Sequence, residues 1–383
     1  MTHASTFCKT RRCVIFPVLF ALSRVCHKPL MNKDSPDLVM SMIHARSAQL
    51  SNGDPISPPI VTTAKYKLSG TPDTPYTYGR DINPTVEAAE AAIRALEQAS
   101  IVAFPSGMAA ITAGLMATAK AGDRILVPSD GYYVTRVMLE EILSGHDIYF
   151  DAIPTREFAS ADLGPYAVIW LETPSNPGLD LCSIRSIAES AHESGGVVVV
   201  DNTTLTPLLQ RPLDLGADLV VSSDTKAMAG HSDCLFGHVA TRDEALFQKV
   251  AKWRKVSGSI PDPFAAFLLH RGLMTLELRL QRMCDTAAAL VDRLEGHDAI
   301  KALKYPGVGF VIGLTFDDEA TAERFIDDCP VIFASTSFGG IHTSAERRAR
   351  WGDHVPDGFV RLSVGCEPTA PLLASIEATL ATL

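Results

Sequence analysis

Residues 219–231 read LVVSSDTKAMAGH, and this stretch decides how the rest of the chain is interpreted. Its first three residues, 219–221, are apolar and predict a strand buried in a sheet. Hydroxyl and acidic residues follow, and among them stands one lysine, Lys226. Two interpretations are open: a strand that simply surfaces and leaves Lys226 in water, or a strand end that presents a reactive amine. The rest of the chain decides between them.

Similar apolar runs recur at regular intervals before this stretch, separated by alanine-rich segments with helical spacing at 108–119 and 184–192. Strands that alternate with helices are typical of βαβ units around a mostly parallel sheet. The run VVVV at 197–200 is typical of a strand buried on both faces. Strands are predicted at 101–104, 124–127, 148–150, 167–171, 197–200 and 219–221.

The pattern changes after about residue 260, where Pro261 and Pro263 mark a boundary. A long helix is predicted over 263–294, followed by strands at 311–316, 331–334 and 359–364. Fewer βαβ units indicate a smaller α+β domain. We therefore expect a large domain over 76–262 and a C-terminal domain over 263–383.

The N-terminal part shows no such pattern. Arg11 and Arg12 precede a short apolar run at 13–22, which has the form of a weak signal peptide and is too short to span a bilayer. The alternative, which we favour, is that residues 1–42 are an extension outside the fold. Residues 43–75 predict an extended arm, and Asn83 followed by proline predicts the start of a helix.

Composition excludes several classes of function. The 383 residues carry a net charge of −10, which disfavours a nucleic acid partner and an anionic membrane surface. Eight cysteines are scattered without a CxxC pair, which is typical of a reducing compartment and predicts a cytoplasmic protein. The spacing of His231, Cys234 and His238 is a weak signal for a metal, and we predict no metal site.

Polar residues follow the predicted strands, and ligands of parallel sheets bind beyond the carboxyl ends of strands. The turn at 105–108, PSGM, opens a helix and suits a phosphate. Tyr132, Asn176 and Asp201 follow three other strands, and Lys226 follows a fourth. Each has an ordinary structural explanation when it is taken alone. Together they offer a phosphate cradle, an aromatic plate, an amide, a buried carboxylate and an amine.

Pyridoxal 5′-phosphate (PLP) uses all five groups, because it has a phosphate, a flat ring, a ring oxygen, a basic ring nitrogen and an aldehyde that condenses with lysine. NAD is disfavoured, since no GxGxxG motif follows an early strand. The array of strand ends therefore predicts a PLP site around Lys226.

Several motifs in combination resemble the Cys/Met-metabolism family of PLP-dependent enzymes, the transsulfuration group. They are YTYGR with NPT, PSGMAA, SDGYY, ETPSNP, VVDNT, SDTK followed by GHSD, and FVRLSVGCE. The resemblance covers the chain from about residue 44 to its end. It implies fold type I, the aspartate-aminotransferase-like α/β fold with a mostly parallel sheet and a smaller C-terminal domain.

The resemblance also implies cofactor-binding roles for residues at the matching motif positions. Lys226 would hold PLP as a Schiff base, Asp201 would pair with the ring nitrogen, and Tyr132 would stack on the ring. Asn176 would lie near the ring oxygen. The phosphate would be bound by Gly107, Met108, Ser223 and Thr225.

Two further roles follow from the resemblance. Tyr78 and Arg80 would reach the phosphate of a neighbouring subunit, which implies a homo-oligomer, a dimer that shares active sites within a homotetramer. Arg361 and Ser337 would hold the carboxylate of a small sulfur amino acid. Catalysis would rest on Lys226, with Tyr132 beside it.

The implied activity is that of a carbon–sulfur lyase, and we favour cleavage of cystathionine at Cγ. Cystathionine β-lyase and γ-synthase remain alternatives, as do a PLP-binding protein with little activity and a fold type I aminotransferase. Thr336 stands where many γ-enzymes have an acid and β-lyases have an aromatic residue. The segment after Gly307 is shorter than the family pattern, and GGIHTSAERRARW also departs from it.

Overall fold

The computed structural model describes residues 34–383, and a seven-stranded sheet lies at its centre. The strands are β1 (Ser100–Phe104), β2 (Arg124–Pro128), β3 (Tyr149–Ile153), β4 (Val168–Glu172), β5 (Val197–Asp201), β6 (Leu219–Ser222) and β7 (Gly237–Thr241). Their order is β1-β7-β6-β5-β4-β2-β3. Strands β2 to β6 run parallel to their neighbours in this group, whereas β7 is antiparallel to both β1 and β6. The mostly parallel sheet predicted from the sequence is confirmed.

Alternate residues of each central strand enter two different hydrophobic clusters. In β5, Val198 and Val200 pack into one cluster and Val199 packs into the other, and all three are fully buried. This is the period of two that a pleated strand imposes when helices cover both of its faces. The central strands are therefore buried, whereas the edge strand β3 is partly exposed, and the strand ends are the part of the central sheet that ligands can reach.

Eleven α-helices lie in the part of the chain that the structure describes. They are α1 (Ser35–Ile43), α2 (Pro84–Glu97), α3 (Gly107–Thr118), α4 (Tyr133–Val137), α5 (Ile184–Glu193), α6 (Thr206–Leu209), α7 (Glu244–Ser257), α8 (Pro263–Leu273), α9 (Leu276–Leu294), α10 (Glu319–Asp328) and α11 (Thr369–Leu380). Asn83 caps α2 as predicted, because its side chain accepts hydrogen bonds from the N–H groups of Thr85 and Val86. Within residues 34–383, no helix is both long and apolar enough to cross a bilayer.

Helix α1 corrects the expectation that residues 1–42 lie outside the fold. Leu38 and Met42 stand one turn apart and are each 1% exposed in the main hydrophobic cluster. The Ser35 hydroxyl also donates to the carbonyl of Leu208. One face of α1 thus packs into the core, while the basic and apolar segment at 11–22 lies outside the described residues.

The C-terminal part contains a five-stranded sheet with order β10-β11-β12-β9-β8. Its strands are β8 (Ala302–Lys304), β9 (Val311–Thr315), β10 (Phe333–Ala334), β11 (Ser344–Arg347) and β12 (Phe359–Ser363). The predicted helix over 263–294 is in fact two helices, α8 and α9, which are separated at Met274 and Thr275. Buried residues of this part, among them Phe310 and Phe338, join the cluster that contains Ala227. An apolar contact therefore holds the smaller sheet against the turn that carries Lys226.

Candidate active site

Lys226 lies in the turn after β6, beside a cleft of about 760 Å³. Its Nζ is 5.6 Å from the centre of the Phe338 ring, which comes from the C-terminal part of the chain. Burial and the charge of Arg361 lower the pKa of Lys226 to about 8, although Asp201 opposes the shift. An amine with such a pKa is largely available in its neutral, nucleophilic form at mildly alkaline pH.

Asp201 ends β5, the strand next to β6, and its backbone pairs in register with Val221. Thr203 donates to one oxygen of its carboxylate, from its N–H at 3.0 Å and from its hydroxyl at 2.5 Å. Burial raises the pKa of Asp201, while Thr203, Lys226 and His238 act to lower it. Burying an ionised carboxylate is energetically costly unless a cation pairs with it. The position of Asp201 therefore suits a protonated ring nitrogen.

Tyr132 follows β2 and lies immediately before α4. Its N–H donates to Glu172 Oε2 at 2.6 Å, and Glu172 is the register partner of Asp201 across β4 and β5. Burial, and then the charge of Asp201, raise the pKa of Glu172 well above its usual value. Glu172 thus fixes the backbone that presents the Tyr132 ring. Glu172 opens the ETPSNP motif, but nothing in the sequence predicts this contact.

Gly107 begins α3 and lies against the turn that carries Lys226. A Cβ atom on Gly107 would stand 2.5 Å from Ser223 Cβ and 2.7 Å from Ser223 Oγ, so a side chain has no room there. The first N–H groups of a helix, here those of Gly107 and Met108, have no acceptor within the helix. Thr225 closes the turn by exchanging hydrogen bonds with the backbone of Phe236. The fold therefore brings the four predicted phosphate ligands together.

Arg361 lies in β12 and is 4% exposed. It donates to Asn176 Oδ1 at 2.5 Å and to the carbonyl oxygen of Ser337 at 3.0 Å. Its guanidinium carbon is 5.1 Å from the centre of the Phe338 ring, the ring that Lys226 also faces. Burial and the nearby Arg348 lower the pKa of Arg361 to about 10, which still leaves it charged at neutral pH. The predicted Arg361, Asn176 and Ser337 are thus one connected group.

Tyr78 and Arg80 do not join this group. Tyr78 is 44% exposed, and Arg80 stacks on its ring and donates to the carbonyl of Lys255. Neither residue lines the cleft beside Lys226.

The three residues of the weak metal signal have separate partners. His231 contacts the carbonyl of Ala229, Cys234 that of Ala265, and His238 the buried carboxylates of Asp224 and Glu97. Within residues 34–383, no group of three or more metal-ligating side chains is close enough to hold a metal ion.

The arrangement fits PLP on two structural observations. One is the cradle at Gly107, where a methyl group would fill the space beside Ser223. The other is the chemistry of the donors: a buried amine of lowered pKa lies near a buried carboxylate whose pKa burial raises. Together with the mostly parallel sheet, these features define an enzyme of the fold type I class that depends on PLP.

Comparison with known proteins agrees with this class. The family model described as "Cys/Met metabolism PLP-dependent enzyme" matches residues 40–381. The chain belongs to that family.

Two named relatives are similar over most of their lengths. A protein of Streptomyces coelicolor named "Putative cystathionine gamma-lyase" is 43% identical over 346 residues, which is 84% of this chain and 88% of the relative. A "Cystathionine gamma-synthase" of Mycobacterium tuberculosis is 35% identical over 334 residues, 80% of this chain and 86% of the relative.

A solved structure, "metB from Corynebacterium glutamicum", superposes with a TM-score of 0.86 at 30% identity, and the match covers 90% of this chain and 98% of that chain. The structure of cystathionine gamma-lyase from Lactobacillus plantarum, complexed with L-serine, gives a TM-score of 0.84 at 30% identity and covers 90% and 98% of the two chains.

Proposed function

We propose that this chain is a PLP-dependent carbon–sulfur lyase that converts L-cystathionine and water to L-cysteine, 2-oxobutanoate and ammonia. The observation that carries the proposal is the buried amine of Lys226, whose pKa is about 8 and whose electrostatic neighbours are Asp201 and Arg361. The relative at 43% identity, which is named a γ-lyase, supports cleavage at Cγ over the other reactions of the family.

The residues gathered at the strand ends would hold the cofactor. Lys226 would bind it covalently, Asp201 would face its ring nitrogen, and the Tyr132 ring would lie over its ring. Asn176 would lie near the ring oxygen. Its side chain is held in place by the hydrogen bond that Arg361 donates to Oδ1. The phosphate would be bound by Gly107, Met108, Ser223 and Thr225.

PLP, when bound, supplies an aldehyde that condenses with amines and a ring that withdraws electrons from Cα. Lys226 Nζ, in its neutral form, would take the proton from Cα of the amino acid and afterwards move a proton from Cβ. A base positioned in this way contributes about 10²–10⁴ in rate. Arg361 and Ser337 would hold the α-carboxylate, because a guanidinium group donates charge-assisted hydrogen bonds to a carboxylate.

The enzyme would be a homo-oligomer, a homotetramer in our proposal, in which Tyr78 and Arg80 complete the site of a neighbouring subunit. The support is that both residues are exposed and that Arg80 stacks on the Tyr78 ring. A monomer mass in sedimentation analysis would contradict this part of the proposal.

We also place the enzyme in the cytoplasm. The support is that Cys182, Cys234, Cys284, Cys329 and Cys366 are all free thiols. Detection of the protein in a secreted fraction would contradict this assignment.

Identification of the keto acid formed from L-cystathionine tests the reaction. We expect 2-oxobutanoate together with cysteine. Pyruvate would mean that the sulfur leaves from Cβ and that the enzyme is a β-lyase. No keto acid, but condensation of an O-acylhomoserine with cysteine, would make it a γ-synthase. Amino transfer to an added keto acid without thiol release would indicate an aminotransferase, and a visible cofactor band without turnover would indicate a PLP-binding protein with little activity.

Thr336 lines the cleft and is exposed, but it does not separate the γ-lyase from the γ-synthase, because it replaces the acid that many enzymes of both kinds have there. The γ-synthase alternative draws its support from the comparisons. The relatives named γ-synthase are also similar over most of the chain. The product experiment above distinguishes the two reactions.

The cradle gives a prediction for cofactor affinity. Gly107→Ala should weaken PLP binding by about 5-fold to 100-fold, because the new methyl group would displace Ser223 from its place beside the phosphate. Titration of the apoprotein with PLP, followed by the visible absorbance band, measures the change. The control is Gly145→Ala, since a Cβ at Gly145 meets no atom within 4 Å. If the two variants bind PLP with equal affinity, Gly107 is not part of the phosphate-binding site.

A further inference from the structure

A glutamate stands directly opposite Arg361 in the smaller sheet. Strand β11 is antiparallel to β12, and Glu346 is in register with Arg361. Directly opposed residues of an antiparallel pair point to the same face, so the two side chains meet. Arg347, the next residue, points to the other face and pairs with Glu319 and Glu323 of α10. The alternation of β11 thus directs Glu346 toward the site and Arg347 away from it.

The carboxylate of Glu346 is completely buried and is surrounded by donors. Its Oε2 accepts from Arg361 at 3.0 Å and from Arg348 at 2.8 Å. Its Oε1 accepts from the indole N–H of Trp351 at 2.6 Å and from Arg350 at 3.3 Å. Burial acts to raise the pKa of Glu346, but the hydrogen bonds from Arg348 and Trp351 outweigh it and lower the pKa. Glu346 is therefore an anion that two buried guanidinium groups share.

Three partners hold the guanidinium group of Arg361, and Glu346 is one of them. One terminal nitrogen donates to Asn176 Oδ1, and the other donates to the Ser337 carbonyl and to Glu346. The Nε atom is buried and has no partner among the residues that the structure describes. A buried donor without a partner is unfavourable, and a carboxylate placed beside the Phe338 ring, which Lys226 and Arg361 both face, would satisfy it.

We propose that Glu346 is a positioning residue for substrate binding: it fixes the guanidinium group of Arg361, balances its charge, and leaves Nε to receive the substrate carboxylate. This inference rests on the proposed function only in taking Arg361 as the carboxylate-binding residue. When Glu346 is replaced, Arg348 is still paired with Asp353. The terminal nitrogen of Arg361 that contacted Glu346 keeps only its hydrogen bond to the Ser337 carbonyl, so Arg361 is affected more than Arg348.

The test uses two ligands that differ only in the carboxylate. L-Alanine has the amine and carboxylate of a substrate but no leaving group, and ethylamine is the same molecule without the carboxylate. In the holoenzyme, Glu346→Gln should weaken L-alanine binding by about 10-fold or more, since charged hydrogen bonds are the strong ones. Ethylamine binding should stay within about 2-fold, because it makes no contact with Arg361. Titrations followed by the visible band give both dissociation constants.

The matched control is Glu323→Gln, which removes the same charge from the partner of Arg347 on the opposite face of β11. It should leave the binding of both ligands unchanged. A double-mutant cycle with Arg361→Lys adds a second readout, because the effect of Glu346→Gln should largely disappear once the guanidinium fork is gone. An additive loss in the double variant would overturn the inference.

Two other results would also overturn it. Equal weakening of L-alanine and ethylamine would mean that Glu346 acts on the fold as a whole, and no weakening of either would mean that Arg361 is held without it. If the glutamine variant does not fold, Glu346→Asp takes its place: it keeps the charge, and we expect weaker L-alanine binding with ethylamine unchanged. The titrations need no elimination reaction, so failure of the proposed lyase activity would appear separately, as the absence of keto acid.

Discussion

Lys226→Ala should lower the rate of 2-oxobutanoate formation by at least about 10²–10⁴-fold, the contribution of a positioned base. The covalent attachment of the cofactor would be lost with it, so the visible band of the holoenzyme should also change. The physical reason lies in the environment of Lys226 Nζ, since burial and Arg361 lower the pKa of Lys226 to about 8. Spectra and single-turnover product formation measure the two effects independently.

A lysine on the surface provides the control for this variant. Lys301→Ala removes an amine whose side chain is 63% exposed and which lies 3.9 Å from Asp317. Its activity and spectrum should match those of the unmodified enzyme. Added methylamine should restore part of the activity of Lys226→Ala, because a free amine can act as the base. Unchanged turnover after loss of Lys226 would refute both the proposed base and the proposed reaction.

His238→Gln should lower the free energy of unfolding by about 3–5 kcal/mol, the usual cost of breaking a buried ion pair. His238 lies in β7, is fully buried, and contacts Asp224 at 2.8 Å and Glu97 at 3.3 Å. Burial alone would favour the neutral ring, but Asp224 and Glu97 outweigh it and raise the pKa of His238 to about 10. Loss of the ring leaves two buried carboxylates without their cation. Urea unfolding at pH 7 measures the loss.

The same pKa shift fixes how this loss depends on pH. The folded-state pKa of about 10 exceeds the ordinary value of 6.5, so the folded state binds the proton more tightly. The stabilisation is therefore complete below about pH 6.5 and is lost as the pH rises through about 10. The difference between the native protein and His238→Gln should accordingly shrink in unfolding experiments at pH 9 and above.

An exposed pair offers the comparison. His192 lies 2.9 Å from Asp218 with 43% of its side chain exposed, and His192→Gln should cost less than about 1 kcal/mol. Similar losses in the two variants would show that burial is not what makes His238 important.

The parts of the fold that the sequence predicts well are those in which one apolar pattern decides the structure. All six predicted strands before Lys226 are present. Five of them end within one residue of the prediction, because apolar runs mark strands buried in the sheet, whereas β3 lies partly exposed at an edge and extends three residues further. The cap at Asn83 follows from local chemistry alone. Such features do not depend on distant parts of the chain.

Of the three strands that the sequence did not predict, β8 is short and not buried, and the other two have polar residues in buried positions. Strand β7 contains His238, and β11 contains Glu346 and Arg347, all of which are buried. Their burial is acceptable because charged partners neutralise them, and some of these partners come from other elements: Glu97 for His238, Arg361 for Glu346 and Glu319 for Arg347. A pattern of hydrophobicity carries no information about such partners. The same reason explains why Glu346 received no role from the sequence.

The residues of the candidate site also fall into those whose position the sequence predicts and those whose position it does not. The strand-end rule correctly brings Asp201, Tyr132 and Lys226 to one edge, because parallel strands end together. Arg361 belongs to the other sheet, and its place near Lys226 depends on the packing of Phe338 between the two parts. Sequence position could not predict that contact without the resemblance to a family. The role of each residue in binding and catalysis stays a prediction until the variants are measured.

The position of β7 bears on how the protein is made in the cell. Strand β1, which leads into the Gly107 turn, stands at the edge of the large sheet, and its partner there is β7. Ser100 pairs with Thr241, so β1 leaves the ribosome long before the strand that completes its hydrogen bonds. Contacts between such distant segments form late. During translation, the nascent chain should therefore bind the cofactor only after residue 241 has emerged. Until then the hydrogen-bonding edge of β1 has no partner strand, and we expect a chaperone to bind this segment.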